Sequence, residues 1–203
     1  MKIQELLFEM PRTINPTDFN LSDSFTNTEL AYDLLRDKSK TLLKKLDGSG
    51  KINLFECKNE FFAIDEREEE PSVIYYMKFQ IKFYELLKHQ AASQVEVWRN
   101  RRIGATDNLA KYIFFNELLY KRKIVITDSM QTPDGQGFWD NRVNDTLKRN
   151  DVYLYYVNFI DGKIIKIHND LEYNKITKQE EIWCEGPDCE KKRIVISTIK
   201  LGD

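Results

Sequence analysis

Residues 93–129 run SQVEVWRNRRIGATDNLAKYIFFNELLYKRKIVITDS, and their reading decides the fold. SQVEVWRN has the valine-rich alternation of a strand, and RRIGAT is a short Arg/Gly turn. Asn108–Tyr120 then sets Leu109, Tyr112, Ile113, Leu118 and Leu119 on one side of a helix, and Lys123–Ser129 is a short hydrophobic strand. Beyond it Pro133 suits the first turn of a helix reaching Arg149, with Phe138, Trp139, Val143 and Leu147 inward. A strand that passes into a helix through a tight turn gathers free backbone N–H groups and a positive helix end at one spot. Arg99, Arg101 and Arg102 crowd that spot, so the junction is expected to take an anion, a phosphate above all. The alternative is a solubilising loop.

Outward from this stretch, Leu30, Leu34, Leu35, Leu42, Leu43 and Leu46 recur at helical spacing, which predicts one helix over Thr28–Leu46 ending at the DGSG turn. Lys51–Cys57 and Phe61–Asp65 read as a hairpin around Lys58-Asn59, and Glu66–Glu70 as a solvated loop. In VIYYMKFQIKFY, Tyr75, Met77, Phe79, Ile81 and Phe83 alternate with Tyr76, Lys78, Gln80 and Lys82, as in a half-buried antiparallel strand. On the C-terminal side, Val152–Phe159 and Lys163–His168 form a hairpin across Asp161-Gly162. A charged helix or loop follows, then strands at Glu181–Cys184 and Arg193–Ile199. The expected class is α+β (mixed α/β): a central mixed sheet flanked by helices, with extra C-terminal strands. Residues 1–27 are an N-terminal extension, 28–168 the main domain, and 169–203 a C-terminal extension packed on it.

Composition narrows the classes of function. A net charge of −2, from 31 basic and 33 acidic residues, argues against a general nucleic-acid binder. No apolar run approaches the roughly 18 residues of a membrane span, and Met1–Pro11 lacks a signal-peptide core, so no membrane partner is expected. Three cysteines, an odd number, fit a reducing cytoplasm better than a disulfide scaffold. Cys184 and Cys189 in WCEGPDCE are either half of a zinc site or a turn carrying two thiols; the turn is favoured, because the chain adds only Cys57, His89 and His168.

The element order and the RRIGAT turn together resemble the GNAT fold of acyl-CoA-dependent N-acetyltransferases over roughly Thr28–Ile167. The family's acetyl-CoA loop is Q/R-x-x-G-x-G/A. Arg101 and Gly104 match it, and Thr106 stands where a small residue is usual, its hydroxyl able to cap the helix. The resemblance implies acetyl-CoA as cofactor. Backbone N–H groups of Arg101, Arg102, Ile103, Gly104, Ala105 and Thr106 would hold its pyrophosphate with Arg99, and the Val95–Trp98 strand, Val97 included, would present the thioester. It makes Ser129 and Gln131 further cofactor contacts, against a capping reading with Thr132 as N-cap. It makes Glu96 the general base, against an outward-facing charge on an amphipathic strand. The family's usual acid, a tyrosine, has Phe138 or Trp139 at its place here; Tyr155 or Tyr156 could substitute, against their reading as ordinary strand aromatics.

The stretches FFNELL and ITDSMQTPDGQGFWDN are similar in style to GNAT-like proteins encoded by bacteriophages, which implies the host cytoplasm or a virion as the setting. Two functions follow. One is acetyl transfer to an amine on a protein or small molecule. The other is a non-catalytic protein of the same fold that binds a host protein or serves in a virion.

Overall fold

Backbone and side-chain chemistry first part from the sequence pattern at the end of the first helix. In the computed structural model, which describes residues 24–100, 108–127, 133–183 and 191–202, α1 is Ser24–Arg36. Asn27, Leu30 and Ala31 are buried along it and Leu34 is half-buried, the i, i+3, i+4, i+7 stripe of a helix lying on a sheet. The single helix expected over Thr28–Leu46 is instead this helix followed by strand β1 (Thr41–Lys45). Leu42 and Leu43 suit either element, and the residues between decide. Asp37 Oδ1 accepts hydrogen bonds from Ser39 N (2.8 Å) and Ser39 Oγ (2.7 Å), while Lys40 Nζ donates to the carbonyls of Leu35 and Asp37. Side chains that satisfy the backbone locally end a helix.

Strands β2 (Ile52–Cys57) and β3 (Glu60–Asp65) form the expected hairpin, with Lys58 at φ +56° in its two-residue turn. The loop after β3 is exposed from Glu66 to Glu70, as predicted. Asp65 is buried and accepts from Arg67 Nε (2.9 Å) and Nη2 (2.6 Å).

Strand β4 (Ser72–Tyr84) pairs antiparallel with β3, but Ala63 faces Tyr75 and Ile64 faces Val73, so Ile74 is an extra residue. This bulge reverses the alternation and brings Val73 to the side of Tyr76. There Leu30 and Ala31 pack with Phe55, Cys57, Phe62, Ile64, Val73 and Tyr76. Phe61 and Phe79 stack at 5.4 Å and are also buried, as are Tyr75 and Met77. The half-buried strand is therefore buried on both faces at its start, and Phe83, expected inward, is 56% exposed near its end.

After the single turn Glu85–Leu87, β5 spans His89–Arg99, starting four residues before the expected SQVEVWRN stretch. Helix α2 begins at Leu109–Tyr112, continues as a π segment over Ile113–Leu119, and closes with Tyr120–Arg122. The wider winding suits a hydrogen bond from Tyr112 Oη to Glu117 Oε1 (3.1 Å), five residues on. Then come β6 (Ile124–Ile126), α3 (Pro133–Leu147), β7 (Tyr153–Asn158), β8 (Lys163–Ile167), α4 (Asp170–Gln179) and β9 (Lys192–Ser197). Asn169 and Glu172 cap α4 reciprocally: Asn169 Oδ1 accepts from Glu172 N and Glu172 Oε2 accepts from His168 N. The strand expected at Glu181–Cys184 is a turn over its described residues 181–183, with Glu181 at φ +49°.

The result is a mixed α+β fold with, among the described residues, four helices and nine strands. The chain gathers into two compact units: residues up to Phe79 with Glu96–Leu109, and Gln80–Val95 with residues from Ala110 onward. In the first the strands run β1-β2-β3-β4-β5, and in the second β5-β6-β9-β7-β8.

One contact in the first unit joins helix to sheet through polar groups. Asn27 Nδ2 donates to Val73 O (2.9 Å) and Asn27 Oδ1 accepts from Val73 N (2.6 Å), all of it buried. Asn27→Leu keeps the branched shape and abandons both backbone groups of Val73 beside the bulge. It should lower unfolding stability by about 3 kcal/mol in urea titration, the sum of two buried unsatisfied groups. A loss within experimental error would show that the apolar stripe alone seats α1.

Candidate functional site

The second unit places the start of β5 against β6 in parallel, through Ala92↔Val125 and Ser93↔Ile126. The other strand pairings given by register are antiparallel. Parallel neighbours need a crossover, which helix α2 supplies. The pairing with β6 comprises those two positions among the described residues, while β5 goes on to Arg99.

Along β5, Ala92 and Ser93 are buried, Val97 and Trp98 half-buried, and Arg99 exposed. Glu96 belongs to this strand, and its side chain lies outside what is described. Arg101, Arg102, Ile103, Gly104, Ala105 and Thr106 fall outside the described residues, as do Ser129, Gln131, Thr132, Cys184 and Cys189. The helix beyond the loop starts directly after Asn108, whose φ of +59° is a conformation that asparagine tolerates better than most residues.

Two aromatic side chains near these positions have settled partners. Trp98 packs against the cluster of Leu30 and Phe62 in the first unit. Phe138, in the second, lies edge-on to Phe114 (6.1 Å) and Trp139 (6.0 Å), with the Arg142 guanidinium over its ring at 5.1 Å.

Tyr155 and Tyr156 sit next to each other on β7 and are both buried. Tyr155 Oη accepts from Leu201 N (3.1 Å). Tyr156 Oη donates to Glu180 Oε2 (3.0 Å), and Lys163 Nζ reaches the other carboxylate oxygen at 3.5 Å. Burial and the Glu180 hydrogen bond together push the Tyr156 hydroxyl well above the usual tyrosine range. A proton so held is a poor one to deliver. Tyr173 is in the same condition: burial and its bond to Asp140 Oδ1 (2.7 Å) raise it strongly.

Sequence reasoning did not single out Glu180 or Asp140. Their partners lie 24 and 33 residues away, and no local pattern connects them. Cys57 is buried with Sγ 3.0 Å from Ser39 Oγ, and burial raises its thiol, so it is held as a neutral group. Among the described residues no group of three or more His, Cys, Asp or Glu could hold a metal ion. No described helix is long and apolar enough to cross a membrane.

Comparison with protein-family models, with curated proteins and with solved structures gives no match for this chain.

The Tyr156 environment makes a spectroscopic prediction. In an ultraviolet pH titration of the folded protein, one tyrosinate signal absent from Tyr156→Phe should remain unformed at about pH 10, where a free tyrosine is half ionised. A wild-type curve that exceeds the Tyr156→Phe curve by one tyrosinate through that region would mean that the Glu180 contact does not hold in solution.

Proposed function

We propose that the chain is an acetyl-CoA-dependent N-acetyltransferase of the GNAT type, acting on an amine of a protein or small molecule in the cytoplasm. One observation carries the reading: among the described residues β5 and β6 pair in parallel at two positions, Ala92↔Val125 and Ser93↔Ile126, with helix α2 as the crossover. In this reading the edge of β5 offers backbone N–H and C=O groups to an extended, amide-bearing arm, and the pantetheine of acetyl-CoA is such an arm. In this reading Val97 and its neighbours hold the arm, and Arg99 with the Arg101–Thr106 loop holds the pyrophosphate. Ser129 and Gln131 add contacts. Glu96 takes the proton from the substrate ammonium, and the amine attacks the thioester carbonyl. The C–S bond breaks to release the CoA thiolate, which takes its proton from solvent. With Tyr155 and Tyr156 engaged by Leu201 and Glu180, proximity and base assistance account for most of the rate.

Calorimetry with acetyl-CoA and with free CoA tests this. One-to-one binding is expected, lost in an Arg101→Ala, Gly104→Trp variant. Glu96→Gln should keep the affinity and lower kcat by about 100-fold. Absence of heat at millimolar cofactor would end the transferase reading.

A second reading, a non-catalytic protein that binds a partner, is favoured by a different observation. In the second unit Phe83, near the end of β4, is 56% exposed and Ile160, in the turn after β7, is 60% exposed, and the rings of their chain neighbours Tyr84 and Phe159 lie 5.4 Å apart. Apolar groups grouped on a surface mark contact sites more often than scattered ones do. Under this reading Phe83→Ser with Ile160→Ser abolishes retention of a defined host protein by the immobilised chain and leaves cofactor titration flat. Equal retention by both chains would remove it.

A further inference from the structure

In the second unit, the face of the sheet that carries Tyr155 and Val157 is covered by the Glu85–Leu87 turn and by Ile199 and Leu201, rather than by one of the four helices. This thin cover leaves a cleft of about 340 Å³ lined by Tyr155, Ile164, Lys166, Lys200, Leu201 and Gly202. Tyr155, Ile164 and Leu201 are its apolar lining, and Tyr155 and Leu201 are fixed, being buried and joined by the Leu201 N–H to Tyr155 Oη bond. Among the described residues two ammonium groups line it and no carboxylate does. Among the described residues neither lysine takes part in an ion pair, and Lys166 Nζ rests over the Tyr153 ring at 5.0 Å. Gly202, at φ +85°, lines the cleft without a side chain; a Cβ there would fill the space against Ile164 Cγ2 at 3.7 Å.

We propose that this cleft binds a small organic anion, with a carboxylate or phosphate head at Lys166 and Lys200 and a short apolar body on Tyr155, Ile164 and Leu201. The size matches the lower end of small-molecule sites, about 300 Å³ and upward. Exposed lysines alone hold an anion weakly, so the apolar lining is what gives the site its selectivity for an amphipathic ligand. The site is independent of the transferase reading, since its two charged residues have no part in that chemistry.

The test is a methyl NMR titration of the full chain, following Ile164 and Leu201. Hexanoate and phenyl phosphate supply the two head groups, inorganic phosphate lacks the body, and 1-hexanol lacks the charge. Saturable shifts are expected with hexanoate or phenyl phosphate, the tighter of the two naming the head group, and weaker ones with inorganic phosphate. Lys166→Glu with Lys200→Glu should weaken anion binding about tenfold while 1-hexanol binds both proteins alike. Both positions are exposed, and Lys200→Gln, which only removes charge, provides a milder second variant. No saturable shift with either anion, an unchanged midpoint in the charge-reversed protein, or tighter binding of 1-hexanol than of hexanoate would overturn the proposal.

Discussion

The second unit depends on the pairing of β9 along both its edges. Ser197, Ile196 and Val195 meet Ile124, Val125 and Ile126 of β6, while the whole strand from Lys192 to Ser197 meets β7. Ile194, Val195 and Ile196 are fully buried as a result. Thr127 extends the seam: its N–H donates to Ile194 O (2.9 Å) and its Oγ1 accepts from Ile194 N (3.1 Å). Until this strand arrives, the strand pairing of β6 among the described residues is its two-position contact with β5, and the β7–β8 hairpin lacks the partner that β9 supplies. Contacts this distant along the chain form late, because the loop entropy must be met before they stabilise anything.

Polar side chains then tie the helices and turns of that unit to its strands. Tyr156 meets Glu180 at the end of α4, Lys192 Nζ donates to Glu180 O, and Tyr173 of α4 meets Asp140 of α3. Each uses a polar group, two tyrosine hydroxyls and one lysine ammonium, that is at least partly buried and would cost stability if left without a partner. For function the consequence is negative but definite: the tyrosines most available by sequence for proton transfer are occupied in holding elements together.

Legibility followed the range of the interactions. Hairpin turns at Lys58-Asn59 and Asp161-Gly162 and the Pro133 helix start are local, and each stands where expected. The end of α1 was also local, but it was written in Asp37, Ser39 and Lys40 rather than in the leucines that dominate the pattern. The bulge at Ile74 and the full burial of Tyr75 and Met77 were not legible, because they depend on what β3 and its neighbours place opposite. For the candidate site, the strand–helix–strand framework around residues 93–126 was readable. The partners of Tyr155 and Tyr156 were not, since Leu201 and Glu180 approach only through the folded sheet.

By itself, then, the sequence determined the kinds of element and most of their positions, because turn chemistry and hydrophobic period act within a few residues. It also determined that arginines and a glycine would stand after β5. Tertiary structure decided the rest: that β5 and β6 run parallel, that β9 enters between β6 and β7, and which tyrosine hydroxyls are committed. The physical reason is that strand partners are chosen by backbone hydrogen bonding and by burial across the whole sheet. Neither quantity belongs to any one stretch of chain.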